Sequence, residues 1–179
     1  MPNVGRAALR QAIAASLALL PAACGGGAPS DEAILAEAGK LAQPLPGKYR
    51  SVTRLTRFEL PNASPQEADR LRTLMGGLVP QASEFCLSAA QARDGFAQML
   101  RRSQQGDCRF ARFGADASRL NAEMRCTGAA GSTSTVVMEG EGGARRSRMT
   151  LRVDQRAASI PGGELQMELE VSNRRTGDC

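Results

Sequence analysis

Five cysteines carry what chemistry this sequence offers, and histidine carries none, because the chain has no His. That composition removes Ser-His-Asp and Cys-His catalysis together with His-ligated metals. Cys86, Cys108, Cys126 and Cys179 contain no CxxC pair. Zinc sites bring ligands in close pairs and redox sites use CxxC, so no metal, no cofactor and no catalytic residue is expected. Two structural disulfides are the better reading, and sequence alone allows three pairings. Cys108 opens one expected strand and Cys126 closes the next, so an antiparallel hairpin sets them opposite each other. Cys86 is then left to hold Cys179, fastening a chain end that would otherwise fray. Glu168 and Glu170 form a carboxylate pair, but they share one face of a strand whose other face is apolar. That fits exposed surface rather than acid–base catalysis. With no GxSxG, phosphate-cradling glycine loop or EF-hand spacing, the chain reads as a non-enzyme.

The fifth cysteine, Cys24, has different surroundings. Arg6 and Arg10 precede an apolar run from Ala12 to Leu20, and Pro21-Ala22-Ala23 supplies small residues for a signal peptidase. The run is too short to span a bilayer, which takes about 20 residues. Residues 1–23 therefore read as an export signal, and the cysteine directly after Ala23 reads as a lipidation site. The alternative is an ordinary signal cut near Ala23, leaving a free thiol; Pro21 stands where a lipoprotein signal usually carries Leu. Acylation of Cys24 leaves an even set of four cysteines for pairing. Residues 24–45 read as the lipidated cysteine and a flexible linker beginning with Gly25-Gly26-Gly27. Gly25 is not the Asp that holds enteric-type lipoproteins at the inner membrane. The expectation is a bacterial, periplasm-facing lipoprotein, at the outer membrane rather than the inner, with its lipid at Cys24 as the membrane contact.

Composition then bounds the body. Hydrophobic residues make up 42% and charged residues 23%, as in an ordinary globular domain. With no Trp, one Tyr and five Phe, its core must come from Leu, Val, Met and Ala. Disulfides offset modest burial where the compartment is oxidising. The net charge of +5 falls by the two signal arginines to +3, and nearly all the basic residues are Arg. Arg101-Arg102, Arg145-Arg146-Arg148 and Arg174-Arg175 read as solvated strand faces and loop ends. The sharper reading is a surface for lipid phosphates or acidic glycans. Nucleic acid is not an expected partner, for want of aromatic platforms.

The elements follow from periodicity. Asp31–Leu41 fits a short helix started by Ser30, with Ile34, Leu35, Ala38 and Leu41 on one side. A strand is expected over Tyr49–Leu60. Ser64-Pro65-Gln66-Glu67 and Ser88-Ala89-Ala90-Gln91 are capping boxes. The first helix carries Leu71, Leu74, Met75 and Leu78 and is marked at its end by Gly76-Gly77. The second carries Phe96, Met99 and Leu100 and stops by Gly106. Gln81–Leu87 between them fits a short strand carrying Cys86. Leu120–Cys126, Met149–Val153 and Leu165–Val171 alternate apolar and polar residues, and Arg109–Phe113 and Ser134–Glu139 add further strands. The expected fold is mainly β. Residues 46–179 would form one disulfide-braced domain, an antiparallel meander of six or seven strands curling toward a small barrel or half-barrel, with two short helices packed against it. Gly140–Gly143 and Pro161-Gly162-Gly163 read as its turns.

From Pro46 to Cys179 the chain resembles an uncharacterised proteobacterial family of small exported proteins, a domain of unknown function. The resemblance rests on Pro46-Gly47-Lys48-Tyr49, Cys86-Leu87-Ser88-Ala89-Ala90-Gln91, the Cys108 to Cys126-Thr127-Gly128 hairpin, and the ending Arg174-Arg175-Thr176-Gly177-Asp178-Cys179. Tyr49 replaces the family's usual Trp, Thr176 precedes Gly177, and the helical stretch over Ser64–Leu78 is longer. The resemblance implies architecture and compartment, and it brings no catalytic residue or substrate.

The functional expectation is a non-enzymatic envelope binding or interaction module with an envelope protein partner. The alternative is a carrier holding a lipid or other hydrophobic small molecule against Met-rich strands (Met124, Met138, Met149, Met167), which would suit an adaptable pocket. Nothing in the residues sets an oligomeric state.

Overall fold

A computed structural model describes residues 27–78, 81–96, 100 and 107–179. The expected export signal and Cys24 lie outside them. Seven strands form a single open sheet: β1 (Gly47–Glu59), β2 (Gln81–Leu87), β3 (Cys108–Ala115), β4 (Arg119–Thr127), β5 (Thr133–Gly142), β6 (Arg146–Arg156) and β7 (Glu164–Gly177). Their spatial order is β2-β1-β7-β6-β5-β4-β3, and every neighbouring pair is antiparallel. The mainly β, antiparallel architecture is thus the one expected. From β3 to β7 the chain is the anticipated meander. The first two strands are not part of it: β1 pairs with the last strand, and the chain then passes from β2 at one edge to β3 at the other. The sheet does not close.

Two strands carry apolar residues at an odd spacing, and each solves the problem with a bulge. Phe110 and Phe113 would face opposite sides of a regular strand, since side chains alternate. An irregularity between Phe110 and Arg112 sets Phe110 opposite Met124 and Phe113 opposite Ala122, on one face. Their rings then meet edge to face at 5.2 Å. A second irregularity, between Leu55 and Arg57, does the same for Leu55 and Phe58 opposite Leu169 and Met167.

Among the described residues three α-helices can be given bounds. Ser30 caps α1 (Asp31–Ala38), its Oγ accepting the Ala33 amide at 3.2 Å, and Asp31 and Glu32 complement the positive end of the helix dipole. This helix lies inside the stretch read as linker, yet it packs on β3, and Ile34 at 2% exposure is the most deeply buried large side chain described. Ile34 and Ala38 join Phe110, Leu120, Ala122 and Leu100 in one core cluster. Glu37 fastens the far end of α1 by accepting the Ala115 amide at 3.3 Å, and Leu45 donates to the Ala144 carbonyl at 2.8 Å.

The helix α2 (Pro65–Leu78) begins at the expected capping box, with Ser64 and Glu67 exchanging bonds at 3.1 and 3.4 Å. It does not end at Gly76-Gly77 but runs through them to Leu78. Each glycine costs a helix only about 1 kcal/mol, and no side chain there supplies a stop. Leu74 on this helix stays 61% exposed. The third helix, α3 (Ala89–Asp94), starts at the Ser88 box as expected. It is interrupted by Gly95, which turns the backbone to φ 54° directly after Asp94, and Leu100 beyond is helical again, its amide donating to the Phe96 carbonyl at 2.9 Å. Phe96 lies past that turn, and Met99 lies outside the described residues. Strand β5 likewise continues through Gly140 and Gly142, so the turn begins only at Gly143.

One glycine ties the lower loops together. Gly162 has φ 74°, and a Cβ there would stand 2.4 Å from the Asn62 carbonyl carbon. Only Gly lets the β6–β7 turn press on the β1–α2 turn. Because α1 supplies the most buried side chain of the core cluster, Ile34→Ala should lower unfolding free energy by about 2–5 kcal/mol in urea titration. A loss below about 1 kcal/mol would mean that α1 is not part of the core.

Candidate functional site

Alternation divides the sheet into two surfaces. On the apolar side, Leu120, Ala122 and Met124 of β4 stand in rows with Gly140, Met138 and Val136 of β5 and with Met149, Leu151 and Val153 of β6. The rows continue through Val171, Leu169 and Met167 of β7 to Thr53, Leu55 and Phe58 of β1. The core cluster closes the β3–β4 end of this face. In its middle, Val136, Leu151, Val153, Met167 and Leu169 are only half-buried.

The opposite side is a lattice of arginines and acids. Glu123 bridges Arg112 at 2.7 Å and Arg125 at 2.9 Å, and bonds from Arg125 and then Arg112 hold its carboxyl below the usual range. Arg152 joins Glu139 at 3.1 Å and Glu168 at 3.2 Å, and these bonds push its guanidinium pKa upward. Glu170 lies 3.7 Å from both Arg54 and Arg148. The Glu168/Glu170 pair is therefore taken up in cross-strand ion pairs, and Thr56 donates a further bond to Glu168 at 2.9 Å. Solvent screens ion pairs of this kind, and each contributes little to stability.

Both disulfides are present in the pairing argued from the hairpin. Cys108 and Cys126 are direct register partners on β3 and β4, with Cα atoms 4.0 Å apart. Cys86 on β2 reaches Cys179 past the end of β7, across 5.8 Å. Around this second bond the first and last strands are clamped together. Gly47, at φ 141°, has no room for a Cβ, which would stand 2.5 Å from the Gly177 carbonyl oxygen. The Tyr49 ring is 4% exposed and stacks on Phe85 at 5.6 Å. Its hydroxyl is shared between the Leu45 carbonyl at 2.7 Å and the Ala144 carbonyl at 3.1 Å. Burial raises its pKa, while the charges of Arg175 and Arg145 oppose the rise. Arg175 donates to the Pro46 carbonyl at 2.8 Å and pairs with Asp178. An open depression of about 410 Å³ lies here, lined by Pro46, Gly47, Ser88, Arg175, Asp178 and the disulfide.

Of the residues singled out in sequence, the structure brings Cys86 to Cys179 and Cys108 to Cys126. Cys24, Arg101 and Arg102 lie outside the described residues. Arg175 turned out to serve the terminal clamp. Arg146 and Arg174, distant in sequence, are brought directly opposite each other with Arg50 beyond them. Reading residue types alone missed Arg50, because only strand pairing places it there. Among the described residues, no group of three His, Cys, Asp or Glu is placed to hold a metal ion, and no helix is long and apolar enough to cross a membrane.

Residues 44–179 match the family described as proteins of unknown function, DUF3617, and the chain belongs to that family. It matches no curated protein and no solved structure. The matched stretch starts after α1, although α1 is docked in the core.

The two disulfides close loops of very different length, with sequence separations of 93 and 18. By chain entropy, breaking the longer with Cys86→Ser/Cys179→Ser should cost about 4–5 kcal/mol and breaking the shorter with Cys108→Ser/Cys126→Ser about 3. Denaturant midpoints on the two double variants check that order; equal or inverted losses would contradict it.

Proposed function

We propose that this protein is a bacterial envelope lipoprotein, exported through residues 1–23, acylated on Cys24 and held facing the periplasm, at the outer membrane rather than the inner. In this reading it works as a non-enzymatic binding module. The export features of the proteobacterial family it resembles point the same way, as do two disulfides of the kind that persist in an oxidising compartment.

The observation that carries the reading is the docking of α1. Ser30 already caps a helix packed into the core, so the leash from Cys24 ends there rather than near Leu45. Six residues of extended chain span at most about 20 Å. An acyl chain on Cys24 would therefore hold the sheet close against the bilayer, where its value lies in the surfaces it presents.

A second reading, carriage of a hydrophobic small molecule, is favoured by the half-buried strip of Val136, Leu151, Val153, Met167 and Leu169. The two readings part in one preparation. In native mass spectrometry of protein made in a bacterial periplasm, a reproducible extra mass lost on denaturation means a carrier. A bare mass together with one consistent envelope cross-link means an interaction module. For the anchor itself, Cys24→Ser should move the protein out of the membrane fraction, and unchanged fractionation would defeat the lipoprotein reading.

A further inference from the structure

Three arginines stand in one row across three adjacent strands. On the polar face, Arg50 of β1 is the direct register partner of Arg174 of β7, and Arg174 is the direct partner of Arg146 of β6. Direct antiparallel partners have Cα atoms about 4.5–5.5 Å apart, close enough for like charges to repel. All three are exposed, and among the described residues none of them makes an ion pair.

Most arginines of the same face supply a contrast. Arg54, Arg57, Arg112, Arg125, Arg148 and Arg152 each have a carboxylate within 4 Å. Glu84, opposite Arg50 on β2, could have served the row, but Lys48 holds it at 2.8 Å. The row below contains Val52, Ser172 and Arg148, and its acid, Glu141, lies beyond Arg148 on β5, three strands from Arg50. Arg119 and Arg156 also lack an ion pair, but each stands directly opposite an acid, Glu141 and Glu164. In the Arg50–Arg174–Arg146 row three arginines are adjacent, and its one acid, Glu84 beyond Arg50, is already bonded to Lys48.

We propose that Arg50, Arg174 and Arg146 bind a phosphate group. Guanidinium forks match tetrahedral oxyanions and offer several donors each, so adjacent arginines can share the oxygens of one phosphate. Arg174, flanked by the other two, is the central ligand. The site belongs to the folded sheet and does not depend on acylation of Cys24. Its phosphate can come from a free solute or from a lipid headgroup at a membrane surface.

The test uses the full chain in a neutral detergent, titrated calorimetrically with inorganic phosphate, and separately with micelles containing phosphatidylglycerol or phosphatidylcholine. Binding of inorganic phosphate assigns a soluble phosphate ligand. Response to phosphatidylglycerol alone assigns a headgroup. In either case Arg174→Gln should weaken binding at least tenfold, and Arg57→Gln, a paired arginine on the same face, should change it less than twofold. Thermal midpoints guard against misfolding: without ligand, Arg174→Gln should melt no lower than the parent, because it relieves repulsion. No binding of either probe, or equal loss in the two variants, would overturn the proposal.

Discussion

The pairing of β1 with β7 is the constraint from which the rest of this structure follows. It joins strands at opposite ends of the domain through a register running from Lys48↔Gly177 to Glu59↔Gln166. That register sets Gly47 against the Gly177 carbonyl and places Tyr49 beside Arg175. It also carries β2 to the outside of β1, where Cys86 can meet Cys179. A shift by one residue would turn every β1 side chain to the wrong face. The disulfide, the intolerant glycine and the doubly bonded Tyr49 hydroxyl all resist that shift at one end of the sheet.

Energetically the two faces are unequal. The polar face is held by ion pairs that are individually weak in water. Among the described residues, its apolar face buries deeply where α1 and Leu100 cover β3 and β4, and where Tyr49, Phe58 and Leu60 are enclosed along β1. A domain with so few aromatic residues and a half-covered centre leans on covalent closure, which acts by limiting the unfolded chain. The docking of α1 has the same logic: it adds the most buried large side chain from outside the stretch that matches the family.

The parts legible in sequence are those set by local pattern. Strict alternation from Leu120 to Cys126 and from Leu165 to Val171 marked β4 and β7, and the two Ser capping boxes marked the starts of α2 and α3. The Cys108–Cys126 bond followed because a hairpin places both on neighbouring strands. What stayed illegible is non-local. Nothing in residues 47–59 says that they pair with 164–177, so the strand order and the meeting of Arg50 with Arg174 were out of reach. Helix ends also escaped: Gly76-Gly77 did not stop α2, whereas Gly95 stopped α3, and the difference lies in backbone conformation at each glycine. Ile34 was placed on an apolar helix side, but its burial depends on β3 arriving beneath it.

One measurement tests the β1–β7 register most directly: cross-strand nuclear Overhauser contacts on isotopically labelled protein. The account requires backbone contacts joining Arg50 to Arg174 and Arg174 to Arg146. Contacts joining Arg50 to Asn173 or Arg175 instead would mean a register slipped by one residue. The arginine row and the terminal clamp would then both be wrong.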